Sequence, residues 1–553
     1  MLRLLALLFL ACLAAPAAGH AATPSALPAE QERALADLTT DDADKREAAV
    51  GVLGKTGDPK WIAFLEALRE GGVYARKQAG KVQVVVAGAK STRGDREVVE
   101  ILSAYGRAAL GTVPLAELTE VSADRRLRIA IKPFLDAGET QSQFANPDPE
   151  VRRGAAIKLG HQASAASIPQ IEQVLARENN RWVRHALAEA LGLIRLATSD
   201  AAGRVLAARA LGDLQALDAL PALRQLAADT SASSDERGAA TAAIRQIERW
   251  NILTTILETL FQGASLASIL LLMALGLAIV FGLMGVINMA HGELMALGAY
   301  STFVVQNIFR ERWPESFDTY FLVALPVSFL VAAGVGVALE RGVIRRLYGR
   351  PLETLLLTWG ASLIIQQGLR LWFGAANVDV TSPRWLSGGA QVMVGLALPY
   401  NRIFIIGLAV VCVLGMYALL FRTDSGLRIR AVTQNRAMSA CLGVRSGTVD
   451  ATTFALGAGL AGLAGAALTQ IGNVGPSLGQ NYIVDSFMVV VTGGVGKLAG
   501  TILAAGGIGG LNKSIEPALG AVFGKVAILI AVILFLQRRP AGLFATRGRN
   551  ADA

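Results

Sequence analysis

Residues 282–300, GLMGVINMAHGELMALGAY, bring an imidazole and a carboxylate together in a stretch that is otherwise apolar. No charged side chain occurs between Thr259 and Ala290; then His291 and Glu293 arrive, with Asn288 just ahead of them. Such a set could ligate a metal, move protons or recognise a polar solute. A metal-binding helix wants its ligands at i and i+4 on one face, and His291 and Glu293 at i and i+2 lie on different faces. No Ser or Cys sits in a recognisable nucleophile elbow. With four histidines in the whole chain, a multi-histidine metal centre is also excluded. The chain reads as a non-enzyme with no cofactor and no metal.

Solute recognition is left. Buried polar groups in membrane helices are costly and face the protein interior by default. Asn288, His291, Glu293, Gln366, Gln367, Gln470, Asn473, Asn481, Asp485 and Thr492 are the candidates to line a translocation path. Hydrogen-bonded glue between helices is the plain alternative for each of them.

The elements that hold these residues follow from hydropathy. Uncharged windows at 259–290, 321–339, 403–421 and 451–484 are long enough for membrane helices, since about 20 residues of helix cross the hydrocarbon core. Helices are expected near 263–287, 289–308, 320–340, 351–373, 401–421, 450–472 and 518–537. The segment 482–513 is short for two crossings and is broken by GGVGKLAG, so it reads as two partial spans meeting at those glycines. The total is about eight to ten. This makes 251–540 a transmembrane domain with a cytoplasmic tail at 541–553.

Arginine sets the orientation, because Lys- and Arg-rich loops stay in the cytoplasm. Arg341, Arg345, Arg346 and Arg350 fall in one loop; Arg422, Arg428, Arg430, Arg436 and Arg445 fall in another against a single Asp424; Arg538, Arg539, Arg547 and Arg549 fall in the tail. The formal charge of +9 is thereby largely explained without nucleic acid.

Ahead of this domain, MLRLLALLFLACLAAPAAGHAA has the make-up of a secretory signal, with a short membrane anchor as the alternative. Residues 1–22 are thus an expected signal peptide and 23–250 an exported, periplasmic helical domain. The only cysteines are Cys12, Cys412 and Cys441, so after processing the exported domain has none and depends on helix packing. Four of its helical runs end on Leu-Gly, at Gly54, Gly160, Gly192 and Gly212, where glycine is expected as a left-handed C-cap. The stretch DPEVRRGAAIKLG at 148–160 resembles the HEAT-type repeat, which implies a solenoid with one shared core. An Ala-rich helical domain without repeats is the alternative. The fold class expected overall is all-α: a polytopic helical bundle preceded by a HEAT-like domain.

Three separated blocks carry a wider resemblance. GLMGVINMAHGELMALGAY, GLRIRAVTQNRAMSACLGV and VDSFMVVVTGGVGKLAGT resemble the permeases of branched-chain amino-acid-type ABC importers. RPLETLLLTWGASLIIQQ, IGNVGPSLGQNYIVDSFMVVV and QRRPAGLF are similar to the urea permease B subgroup. The resemblance implies a subunit of the bacterial inner membrane that translocates urea. It also implies as partners cytoplasmic ABC ATPase subunits, a second permease subunit and a periplasmic solute-binding protein, with membrane lipid around them. It further implies that the loop at 422–449 is the ATPase-coupling segment, with Arg430, Asn435 and Arg436 facing the partner and Gly443 closing a short helix; a solvated basic loop is the alternative. VTGGVGKLAG is no P-loop, since Val491 and Leu498 replace the first Gly and the Ser or Thr that phosphate and magnesium need. The alternatives to urea are branched-chain amino acids or short amides, and, from another class, a membrane-anchored HEAT-repeat scaffold.

Overall fold

Aspartate and asparagine start the helices of the first half. Asp42, Asp58, Asp148, Asn180 and Asp200 each accept a backbone N–H from the first turn of the helix that follows, satisfying donors that have no partner inside the helix. The computed structural model of the chain describes residues 27–40, 42–78, 81–93 and 96–544. The expected signal peptide and the end of the tail lie outside the described residues. Helices α1 (Ala29–Asp37), α2 (Ala43–Lys55), α3 (Pro59–Glu70), α4 (Arg125–Phe144), α5 (Pro149–Gln162), α6 (Ile168–Arg177), α7 (Arg181–Thr198), α8 (Ala201–Asp213) and α9 (Leu220–Ala228) come first. The chain divides into two compact units. One holds residues up to Leu214 with Pro221–Ala240; the other holds Gln215–Leu220 and everything from Thr241.

The chain is mostly helical, but the first unit also holds an element that its helical periodicity does not announce. Strands β1 (Val73–Gln78), β2 (Lys81–Arg93), β3 (Arg96–Ser103), β4 (Ala109–Pro114) and β5 (Leu118–Glu120) form an antiparallel sheet in the order β4-β3-β2-β1-β5. The signal was the run of valines at 82–86, β-branched residues suited to a pleated surface. Period two then sorts them. Val84 and Val86 pack with Trp61, Phe64, Leu68 and Ile131, whereas Val85 packs with Ile101 and Val113.

The Leu-Gly glycines do not cap. Gly54, Gly160, Gly192 and Gly212 lie inside α2, α5, α7 and α8, and the left-handed residue that ends α5 is Ala163, at φ 49°. Close approach explains Gly54, Gly160 and Gly192 instead. A Cβ on Gly160 would stand 2.9 Å from Ala190 Cα, and one on Gly192 would stand 2.7 Å from Leu211 Cδ2, each on a later helix of the repeat.

Helix α10 (Ser234–Met284) starts in the first unit and belongs to the second from Thr241 on; the second unit further contains α11 (His291–Arg312), α12 (Tyr320–Gly342), α13 (Pro351–Phe373), α14 (Tyr400–Arg422), α15 (Asp424–Gln434), α16 (Arg436–Cys441), α17 (Ser446–Leu468), α18 (Leu478–Gly493) and α19 (Leu498–Arg538), with a small hairpin of β6 (Gly389–Met393) and β7 (Leu396–Pro399). Among the described residues five helices are long and apolar enough to cross a membrane. They are α10, α12, α14, α17 and α19. Helices α11 and α13 are of similar length but carry interior polar groups. The glycine break at Gly494–Gly496 separates α18 from α19, and α19 is itself two helices joined at Gly520, where φ is 76°.

Small residues let these helices meet backbone to backbone. Gly298 lies on Gly462, Gly465 on the Met295 carbonyl, and a Cβ on Gly457 would stand 2.7 Å from the Gly276 carbonyl oxygen. The outward faces are apolar, with Leu352, Ile364, Trp372, Val411 and Val522 exposed. In a bilayer such faces meet lipid, so this is a multi-pass membrane unit. Two of the arginine-rich loops meet where Arg345 donates to the Gly447 carbonyl at 2.6 Å, and the tail packs on the end of α18, where the Leu543 N–H donates to the Thr492 carbonyl at 2.8 Å.

Candidate functional site

Helix α10 ends at Met284, and residues 285–290 return along its side as non-helical backbone in which Val286, Asn288 and Ala290 are buried. The return is measured by His291, whose Nε2 lies 3.2 Å from the Met273 carbonyl oxygen. Met273 is eleven residues before the end of α10, about 16 Å along the axis at 1.5 Å per residue. On the other side, Ser362 donates to Glu293 Oε1 at 3.2 Å, again eleven residues into its helix, α13. Helix α11 therefore starts about halfway through a hydrocarbon core of about 30 Å. Asn288 accepts the Ala290 N–H at 3.0 Å, bending the chain ahead of a helix that has no side-chain cap.

A second helix begins at the same depth. A Cβ on Gly292 would stand 2.5 Å from the carbonyl oxygen of Gly479, so the first turns of α11 and α18 touch through their backbones. Helix α18 has no side-chain cap either. From this point the two helices diverge. Gln306 of α11 accepts the N–H of Thr381, beyond α13, at 2.7 Å. Thr492 of α18 meets the tail at the opposite end. Two uncapped helix starts thus present their positive ends at mid-depth.

Around them stand polar side chains with unused capacity. Asn288, His291 and Glu293 are at most 1% exposed, and Asn288 Nδ2, His291 Nδ1 and Glu293 Oε2 are buried without a hydrogen-bond partner. Helix α13 supplies the facing wall. Thr354, Thr358, Ser362 and Gln366 are all buried, one per turn at i+4 spacing, on a helix whose other faces are apolar and exposed. Thr358 Oγ1 accepts the Met289 N–H at 3.1 Å, and Gln366 Oε1 accepts from Gln480 at 3.5 Å. The sequence reading missed Thr358, Ser362 and Gln480, although the four-residue polar stripe in TLLLTWGASLIIQ was there to be counted.

The other expected path residues are dispersed. Gln367 is exposed on the apolar side of α13, and Asn473 and Asn481 are exposed as well, so none of the three joins the interior set. Gln470 is buried at the far end of α17, where it donates to Tyr320 Oη at 3.4 Å, leaving its own Oε1 without a partner. Asp485 is buried but taken by Lys525 at 3.2 Å. Thr492 is half-buried beside the tail.

In the basic loop, Asn435 caps α16 by accepting the Met438 N–H at 2.9 Å, and Gly443 closes it at φ 82°. Arg436, expected to face outward, turns into its own chain. It pairs with Asp450, and its guanidinium lies 4.8 Å from the Tyr348 ring. Arg430 covers Phe421, while Leu427, Met438 and Leu442 are exposed.

Comparison with known proteins agrees with this architecture. Residues 259–537 match the family described as branched-chain amino acid transport system, permease component, and residues 141–206 match HEAT repeats. The chain is 30% identical over 301 residues to the high-affinity branched-chain amino acid transport system permease protein BraD of Pseudomonas aeruginosa, covering 52% of this chain and 95% of that one. It is 29% identical over 303 residues to the permease protein LivH of Escherichia coli, covering 52% and 94%. It is 27% identical over 306 residues to the probable LivH permease of Methanocaldococcus jannaschii, covering 52% and 92%. These relatives are named as permease proteins of transport systems. The present chain belongs to the branched-chain amino acid transport system permease family.

Proposed function

We propose that the chain is the permease subunit of an ABC importer and that its solute is a small neutral amide, urea first. The observation that carries this reading is the mid-depth site. Two uncapped helix starts, a carboxylate, an imidazole and two buried amides (Asn288, Gln366) surround one level of the membrane unit, with the exposed Gln480 reaching Gln366 at 3.5 Å. The unused atoms include both a donor, Asn288 Nδ2, and an acceptor, Glu293 Oε2. Urea offers one strong acceptor and four N–H donors, and it needs both kinds of partner. No Lys or Arg is buried among the described residues, which favours a solute without a full negative charge.

In this reading the arginine-rich end is cytoplasmic. ATPase subunits dock there on α15 and α16, where Leu427, Met438 and Leu442 stand exposed. The opposite end and the repeat unit face the periplasm, within reach of a solute-binding protein, and a second permease subunit completes the membrane part.

A second reading has support of its own. The relatives are named for branched-chain amino acids, and helix N-termini can hold a carboxylate without a cationic side chain. Tagged chain purified with its partners and sealed into proteoliposomes with ATP separates the two readings. Uptake of labelled urea supports the first. Uptake of leucine alone rejects it in favour of the second, and a stable complex without an ATPase points to the scaffold instead.

A further inference from the structure

Five side chains at the cytoplasmic end form a network that neither membrane insertion nor ATPase docking requires. Glu340, fully buried near the end of α12, receives Arg345 Nε at 3.2 Å and Tyr348 Oη at 3.1 Å. Arg345 reaches on to the Gly447 carbonyl at the start of α17. Asp450, 2% exposed in the first turns of α17, is paired with Arg436. The Arg436 guanidinium lies over the ring of Tyr348, which joins the two halves.

The position of Arg436 gives the network a direction. It is the first residue of α16, the short helix that exposes Met438 to the cytoplasm. Beyond Asp450, α17 runs up as a glycine-lined rod. Gly457 bears on α10, Gly462 on α12 and Gly465 on α11 beside Met295. Met295 lies two residues past Glu293 on the same first turns. Backbone contacts of this kind are stiff, because no side chain can give way between the helices. A shift of α16 is therefore passed on to the start of α11.

We propose that the Arg436–Asp450 pair, stacked on Tyr348 and braced by Glu340 and Arg345, is the positioning joint through which movement of the ATPase-facing helix α16 reaches the solute site. The inference rests on the ABC-importer reading above. Both carboxylates are buried while both guanidinium groups are half-exposed, so the joint stays anchored in the membrane unit and open to a partner.

A double-mutant cycle tests it. The complete complex carrying Arg436→Gln, Asp450→Asn or both would be assayed in proteoliposomes for solute taken up per ATP hydrolysed, with thermal stability measured alongside. The double variant leaves no unpaired buried charge, so folding is least threatened there. The expected result is a drop of about tenfold in the uptake-to-hydrolysis ratio for each single variant, with no further drop in the double, as groups acting through one pair require. Asp450→Glu should recover part of the ratio. An unchanged ratio in both singles would overturn the proposal, as would losses that multiply in the double. So would a fall in uptake matched by hydrolysis and by folded amount, which would make the pair merely structural. If the wild-type complex shows no ATP-dependent uptake, the importer reading fails instead.

Discussion

In the repeat unit, Gly160 and Gly192 bring Ala190 and a leucine side chain close. In the membrane unit, Gly292, Gly298, Gly457 and Gly465 bring carbonyls and bare backbone close. The contrast follows from solvent. In water, burying apolar side chains between helices is itself stabilising, so the repeat needs room only for one neighbour at a time. In lipid that driving force is absent between helices, and tight van der Waals contact must replace it. Polar groups divide the same way. Asp58, Asp148 and Asn180 sit at helix starts and cap them. Asn288, His291 and Glu293 sit at a helix start that no side chain caps and keep unused capacity.

The sharpest break would come at Gly292. A leucine there drives a side chain into the Gly479 carbonyl, which is backbone and cannot rotate away. Gly292→Leu should abolish uptake and cost at least about 3 kcal/mol, beyond ordinary overpacking. Thermal unfolding in detergent and vesicle uptake would check it, and a tolerated leucine would refute the backbone contact.

The next largest effect belongs to the repeat unit. Arg152 grips Glu178 through two hydrogen bonds, at 2.8 and 3.1 Å, and also holds the carbonyls of Asn146 and Pro147. Arg152→Ala should cost about 3 kcal/mol, read as faster hydrogen exchange over residues 146–180. The guanidinium of Arg152 holds the Glu178 carboxyl below its ordinary value, assisted by the N–H groups of Asn180 and Asn179. A lowered carboxyl stabilises the fold above the ordinary range near about pH 4.3 and loses that contribution as pH falls through and below it. The gap between wild type and Arg152→Ala should therefore narrow on acidification.

A smaller effect is expected at Gly160. Its added methyl would lie 2.9 Å from the Ala190 Cα and 3.1 Å from the Ala190 methyl, contacts that only a movement of the next helix's backbone can relieve, so Gly160→Ala should cost about 2 kcal/mol. The smallest is Gln367→Leu on the exposed side of α13, expected within about 0.5 kcal/mol of wild type. Gln366→Leu, one residue away on the buried stripe, should lower uptake measurably. Equal behaviour of the two glutamines would remove the distinction between lipid face and interior face.

Much of this was readable from hydropathy and arginine placement: the helical membrane unit, the break at Gly494–Gly496 and the repeat character near 148–160. The valine-rich sheet was hidden because the flanking Ala- and Leu-rich helices set the apparent period. The Leu-Gly signal was read as a cap because glycine's positive φ and glycine's small size look alike in a sequence. At the site, residue type could nominate Glu293 and Gln366, but it could not separate Gln366 from Gln367 without the phase of α13. Nor could it find the return of 285–290 to mid-depth, since a non-helical segment of six residues has no hydropathy signature of its own. The meeting of α11 with α18 joins residues nearly two hundred positions apart.

The central claim is that Glu293, at that meeting point, contacts the solute. It is tested most directly by urea uptake into proteoliposomes holding equal amounts of assembled wild-type and Glu293→Gln complex. The substitution preserves size and replaces an acceptor oxygen by an amide donor, and a solute donor left without its buried partner predicts uptake lower by about tenfold. Uptake within a factor of about two of wild type, where no such bond is lost, would contradict the account and leave Glu293 as a residue that only begins a helix.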